Sequence, residues 1–348
     1  MKILSVGSFE VYGTSNTCLH RQMALEKVAK TVKVNTAEKK SSLWFKIAYH
    51  LFLNGFSVRL PDATNANRKI LEYLESELFD VVWIDKGITI FPETLKKAKV
   101  IQPKLKIISY SPDNMALRHN QSQQYLECIP FYDCIVTNKS YILEDLKKMG
   151  AKEVLFVNNT YEPSFHFPYE LSKEDIIRLG GDVGFIGAWE KNRCESILYL
   201  VNHKINVRVW GGGKWLLYKN YSPYLKIEDI GLYTEDYCKA LKAFKINLCF
   251  LRKMNFDRQT TRSVEIPACG GFMLAERTDE HLNMFKEDKE AAYFSSNEEL
   301  LEKCIYYLSN AQHREIVAKN GLKRCVDSDY SNIGMVKFVL RKVVGNGK

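Results

Sequence analysis

Thr261-Arg-Ser-Val-Glu-Ile-Pro-Ala-Cys-Gly-Gly-Phe-Met-Leu-Ala275 decides how the chain is read, because a helix, a break and a buried strand follow one another within it. Proline is tolerated in the first turn of a helix and not in its interior. Pro267 therefore predicts a helix that begins near Val264 or bends there. Gly270-Gly271 ends it, and Phe272-Met-Leu-Ala275 is the short apolar run of a strand covered on both faces. Helix, glycine turn and buried strand in succession form one step of a parallel α/β sheet. Glu265 lands near the helix N-terminus, where the dipole favours a carboxylate. The rival reading is an exposed first-turn glutamate favoured by that dipole.

The same step recurs outward in both directions. Apolar runs at 2–6, 31–35, 80–84, 106–110, 134–137 and 153–157 alternate with helical stretches, and the pattern resumes at 182–187, 206–211, 245–251, 272–275 and 291–294. Such alternation predicts doubly wound parallel sheets. Between the two series, 158–181 is polar and holds Pro163 and Pro168, which neither a helix nor a central strand accepts. At 348 residues the chain suits two domains of roughly 150 to 180 residues each. The expected division is 1–160, 161–330, and a last amphipathic helix at 331–348 packing back toward the first domain.

Helix signals are readable at several points. Ser140 is placed as N-cap and Gly150 as the stop of one helix. Ser296 with Glu299 forms a capping box, and 310–321 starts and stops another helix at Asn310 and Gly321. The stretch 43–56 is the most apolar helical segment, interrupted by Lys46, His50 and Asn54 and too short to span a bilayer. It is read as a core helix, with a membrane-surface contact as the alternative.

Composition narrows the class. With 46% hydrophobic and 26% charged residues, the whole chain should fold. The nine cysteines lie mostly in apolar runs with no C-x-x-C pair, which points to buried free thiols in a reducing compartment. The opening Met1-Lys-Ile-Leu-Ser-Val-Gly7 is a first strand and too short for a signal peptide. The expected location is the cytoplasm, with the inner face of a membrane left open. A net charge of +9 favours anionic partners. The cations are spread along the chain and no nucleic-acid-binding motif is present, so nucleic acid is an unlikely partner.

Open parallel sheets bind ligands at the carboxyl ends of their strands, and three places there combine glycine with charge. Gly7, Ser8, Glu10 and Gly13 follow the first strand as an acceptor- or phosphate-facing loop, although their spacing is not a dinucleotide fingerprint. Gly187 opens the second, with Arg193 as a charged fork for phosphate and Lys214 in Trp210-Gly-Gly-Gly-Lys-Trp215 one unit later. The third is 255–271, carrying Asp257, Arg258, Thr261, Arg262 and Glu265. In the first half, Asp113 after Ser111-Pro112 is a candidate base or acceptor contact, with His119 close in sequence. The remaining histidines show no zinc-ligand spacing, and no metal or cofactor is expected.

Thr261 to Leu274 resembles the donor-binding element of group 1 glycosyltransferases of the GT-B fold, closest to their spore-maturation, CgeB-like branch. Glu276-Arg-Thr-Asp279, Phe285, Lys289-Glu290 and Glu298-Glu-Leu300 are also similar to that branch, as are Asp85-Lys-Gly87, Ser109-Tyr-Ser-Pro-Asp113 and Tyr132-Asp133 in the first half. The resemblance implies two Rossmann-like doubly wound parallel-sheet domains with an interdomain cleft, a nucleotide sugar held by the second domain, and an acceptor glycan or other hydroxyl-bearing molecule approaching from the first. It places Glu265 on the donor ribose, where a carboxylate accepts two hydrogen bonds, and Asp257 on the transferred sugar. Arg193 stands where the family has a phosphate-binding lysine. Ala188 replaces the arginine usual after the glycine, a charge that Arg262 or Arg258 would supply. The function implied is metal-independent glycosyl transfer. An epimerase of the same fold, a non-catalytic nucleotide-sugar-binding protein and a nucleic-acid-modifying transferase are its rivals.

Overall fold

The computed structural model describes residues 1–10, 16–37 and 42–345. The chain separates into two compact units, Met1–Asn158 with Asn332–Lys348, and Asn159–Ser331.

In the first unit β1 (Lys2–Gly7), β2 (Lys30–Asn35), β3 (Val81–Asp85), β4 (Lys106–Ser111), β5 (Cys134–Thr137) and β6 (Val154–Phe156) form one parallel sheet in the order β2-β1-β3-β4-β5-β6. Every residue of β3 is buried, as a strand covered on both faces requires. Alternate side chains feed two cores: Leu4, Val82, Ile84 and Ile107 on one face, Ile3, Val81, Trp83 and Ile108 on the other. The second of these is closed by the helix Asn332–Val344, which lays Met335, Val336, Val339 and Leu340 against it. At about 1.5–3 kcal/mol for each buried side chain, gross, those four account for keeping the chain's last helix with the first unit.

The second unit contains β7 (Gly181–Ile186), β8 (Val207–Trp210), β9 (Leu225–Glu228), β10 (Phe244–Cys249), β11 (Met273–Glu276) and β12 (Ala292–Phe294), again all parallel, in the order β12-β11-β10-β7-β8-β9. The fold class expected from the βα rhythm is therefore observed twice. One strand, β9, is an addition: Leu-Lys-Ile-Glu is a four-residue edge strand whose lysine and glutamate mask its apolar pair.

Four local expectations need correction. The helix around Glu265 runs Arg262–Ala268 with Pro267 inside it. It starts before Val264 because its opening turn is tight, Ser263 N–H bonding Thr260 O and Val264 N–H bonding Thr261 O, and it ends one residue after the proline. At Ser140 the chain makes a 3-10 turn, and the α-helix is Leu143–Lys148; Gly150 beyond it has φ +102°. Gly321 does not stop its helix, which continues through Ala311–Asp327. The helix Leu43–Leu53 is no core helix: Ala48 and Phe52 are buried, while Leu43, Trp44, Ile47, Leu51 and Leu53 are exposed. All nine cysteines are buried free thiols. No helix among the described residues is long and apolar enough to cross a membrane.

Candidate functional site

In the second unit the chain passes from β7 outward through β8 and β9, then returns to the other side of β7 as β10. The segments after β7 and β10 therefore leave in opposite directions, which opens a crevice at the carboxyl end of the sheet. Gly187 sits at its floor. A Cβ there would lie 2.8 Å from an Arg262 guanidinium nitrogen, and one at Gly211 would lie 2.4 Å from the Gly187 carbonyl. That carbonyl also accepts from Trp215 Nε1 at 3.0 Å. The loops after β7 and β8 thus pack backbone to backbone, and only glycine fits at the contact.

Positive charge converges on this point. Arg262 donates through Nε to the Ile186 carbonyl at 2.9 Å. Arg193, in the first turn of the helix Lys191–Asn202, donates to the Ala188 carbonyl at 3.2 Å and lies 3.4 Å from Glu190. Arg252, just beyond β10, lies 3.7 Å from the same carboxylate, and Lys253 pairs with Glu276 at 2.8 Å. Arg193 is 6% exposed, and its Nε has no hydrogen-bond partner. Burial, opposed by Glu190 and reinforced by the nearby Arg262 and Arg252, holds its guanidinium below the usual value. A buried cation with an unmet donor beside two more cations is an environment that an anion would relieve.

One turn beyond Arg262, Glu265 is 6% exposed, so the exposed-glutamate reading is overturned. Tyr237 donates its hydroxyl to Oε2 at 2.6 Å, and His166 Nε2 stands 3.6 Å from Oε1. The Glu162 amide donates to His166 Nδ1, so the ring proton is on Nε2, facing the carboxylate. Burial first, then the Glu265 charge, raises the Tyr237 phenol well above its ordinary value. It stays a donor.

The other predicted residues of this unit are less gathered. Asp257 is half-buried beyond the 3-10 turn Lys253–Asn255, its amide donating to the Arg252 carbonyl. Arg258 is exposed and its carbonyl accepts from Thr278. Thr261 is the N-cap residue of the Glu265 helix without a side-chain cap bond. Lys214 is exposed and lies 4.8 Å above the Trp189 ring. Gly187, Arg193 and Arg262 are brought together, with Arg252, Lys253, Tyr237 and His166 as additions.

In the first unit the winding reverses between β1 and β3. Arg21 forks onto Asp85 at 2.5 and 3.0 Å, both buried, with the guanidinium 4.4 Å above the Tyr110 ring. Lys86, held at φ +48°, reaches Asp113 at 2.5 Å. Burial depresses the Lys86 ammonium, but Asp113 outweighs it and the net shift is upward. His119 is half-buried in the 3-10 turn Arg118–Asn120. Gly7 ends β1 against Cys18 Sγ, Ser8 gives its carbonyl to Asn16, and Glu10 is exposed. Gly13 lies outside the described residues. Among those residues no group of three His, Cys, Asp or Glu could hold a metal ion.

The chain was compared with known proteins against this geometry. Residues 193–340 match a family model described as glycosyl transferase-like. No curated protein matches the sequence. Among solved structures, HepE of Anabaena in complex with UDP is similar over 99% of this chain and 100% of its own, with TM-score 0.66 and 12% identity. An E. coli trehalose-6-phosphate structure bound with UDP-2-fluoro glucose is similar over 100% of both chains, with TM-score 0.67 and 10% identity. Sucrose-phosphate synthase from Thermosynechococcus elongatus is similar over 99% of both, with TM-score 0.65 and 9% identity. At such identities the likeness is one of fold, and it is the GT-B fold of two Rossmann-like domains. The cationic crevice of the second unit is built largely from the segment, residues 193–340, that matches the glycosyl transferase-like family.

Proposed function

We propose that the protein transfers a sugar from a nucleotide-sugar donor to a hydroxyl acceptor, the donor being held by the second unit and the acceptor by the first. The observation that carries this is the set of Arg193, Arg252 and Arg262 around Gly187 at the β7–β10 reversal. A glycosyl donor leaves behind a nucleoside diphosphate, and fixed cations aimed at the developing charge lower the barrier to its departure. Protein groups alone suffice for that, so the transfer is metal-independent on this reading. HepE and the E. coli protein were solved with uridine nucleotides, which makes UDP and its sugars the first probes.

Glu265 takes the donor ribose. With Oε2 engaged by Tyr237 and His166 Nε2 facing Oε1 at 3.6 Å, the remaining acceptor capacity of Oε1 is what would take a ribose hydroxyl. Asp257 is assigned to the transferred sugar. Asp113, paired with Lys86 at 2.5 Å, orients the acceptor hydroxyl or takes its proton, with His119 as its neighbour in sequence. The motif from Thr261 to Leu274 supports the CgeB-like branch. Calorimetry with UDP, UDP-glucose and uridine tests the donor site, and UDP release on adding candidate acceptors tests transfer. Donor conversion without any acceptor would point to epimerisation, and binding without turnover to a non-catalytic binder.

A further inference from the structure

The helix Leu43–Leu53 is apolar on two faces. Ala48 and Phe52 pack inward on Leu60, with Tyr49, Val58 and Ile88 around them. Leu43, Trp44, Ile47 and Leu51, spaced to share one side of a helix, point away from that contact; Leu43 is 75% and Trp44 67% exposed. Leu53 and Phe56 extend the exposed surface. A helix apolar on more than its core-facing side normally has that second side covered as well, and a contiguous exposed apolar patch marks an interaction surface.

Charge identifies the occupant. From Lys39 to Pro61, between Glu38 and Asp62, the sequence contains Lys39, Lys40, Lys46 and Arg59 and no acidic residue, Arg59 being paired with Glu127. Lys46 is exposed on the flank of the apolar side, and the exposed Arg118 lies beside the helix end, 3.6 Å from where a Cβ at Gly55 would stand. A short helix with tryptophan and leucine outward and lysine at its margin lies in the plane of a membrane surface. At eleven residues it is only about 16 Å long and cannot cross one.

We propose that this face of the first unit docks on an anionic lipid bilayer, Leu43, Trp44, Ile47 and Leu51 entering the acyl boundary while Lys46 and Arg118 meet the headgroups. This does not depend on the glycosyltransferase reading. The test is co-sedimentation of the full chain with vesicles of phosphatidylcholine alone or mixed with phosphatidylglycerol, comparing the parent with the Trp44→Gln, Ile47→Gln double variant. The expected result is binding to the mixed vesicles, weakened by salt, and reduced about tenfold or more in a variant whose thermal unfolding matches the parent. Equal partition of parent and variant, or no preference for the anionic vesicles, overturns it. So does self-association that the two substitutions abolish, which would give this face to a second copy of the chain.

Discussion

The Tyr237 hydroxyl donates to Glu265 Oε2 at 2.6 Å while His166 Nε2 faces the other oxygen at 3.6 Å. A buried carboxylate is therefore held in one orientation by two neutral groups, one from the segment before β7 and one from the helix Thr234–Ala243. Tyr237→Phe should lower unfolding stability by about 1.5–3 kcal/mol, the worth of a hydrogen bond to a charged group. It should also weaken UDP and uridine binding to the same extent as each other, because the ribose is common to both. Glu265→Gln turns half of the acceptor capacity into a donor, and its affinity for uridine should fall roughly ten- to a hundredfold. Undiminished affinity in calorimetry removes Glu265 from the donor site.

Arg193→Met separates phosphate binding from folding. Methionine replaces the stem of a buried arginine whose Nε is unmet and whose charge is pressed by Arg252 and Arg262. Stability should change little, since Glu190, 20% exposed, keeps Arg252 at 3.7 Å as its partner when the pressed charge of Arg193 is removed. UDP affinity should drop roughly ten- to a hundredfold with uridine little changed. Equal loss for both ligands contradicts the phosphate assignment.

Transfer should survive chelation. The described residues offer no group of His, Cys, Asp and Glu able to hold a metal ion, and guanidinium groups can do the work of neutralising a diphosphate. Activity lost in EDTA and restored by a divalent ion would overturn this part of the mechanism.

The architecture was legible because short apolar or β-branched runs alternate with helical stretches, and eleven of the twelve strands coincide with such a run; central strands such as β3 are the ones buried on both faces. Gly187 and Arg193 were legible for a related reason: a glycine at a strand's carboxyl end with a cation close behind is a local pattern, whereas Arg262 entered through the family resemblance and reaches Gly187 through the fold. Arg252 and Lys253 were not legible by that pattern, since no glycine stands beside them after β10. Tyr237 and His166 were not, because nothing near either residue announces a carboxylate brought from elsewhere by the fold. The outward face of Leu43–Leu53 was carried only as the alternative to a core helix, because composition cannot tell an enclosed helix from an apolar helix left uncovered.

His281 predicts a pH dependence of stability. Its Nδ1–H donates to the Glu276 carbonyl at 2.7 Å, and Nε2 accepts from the Ser263 hydroxyl at 2.7 Å. The ring is fully buried, and burial, opposed by the Glu276 carbonyl, lowers its pKa below 6.5. Below 6.5 the unfolded chain takes up a proton that the folded chain refuses. Stability therefore falls as pH drops through that value, with a slope of up to about 1.4 kcal/mol per pH unit. Urea unfolding between about pH 7 and pH 5 should show the decline, and His281→Gln should flatten it. An unchanged slope in the variant assigns the acid sensitivity elsewhere.

Gly321 gives the last prediction, and the sign is the informative part. Inside the helix Ala311–Asp327, alanine is favoured over glycine by about 1 kcal/mol of intrinsic propensity, so a solvent-facing glycine there would gain from the change. Here a Cβ would stand 2.5 Å from the Glu290 carbonyl oxygen and 3.2 Å from the Pro267 side chain. The first contact is with backbone and cannot rotate away, and the second is with the helix that carries Glu265. Overpacking of this kind costs about 1–3 kcal/mol, which exceeds the propensity gain. Gly321→Ala should therefore lower the melting temperature, and by shifting the Arg262–Ala268 helix it should also weaken uridine binding in calorimetry. A variant more stable than the parent would mean that the two helices have room to separate, and that Gly321 stands in this sequence for no steric reason.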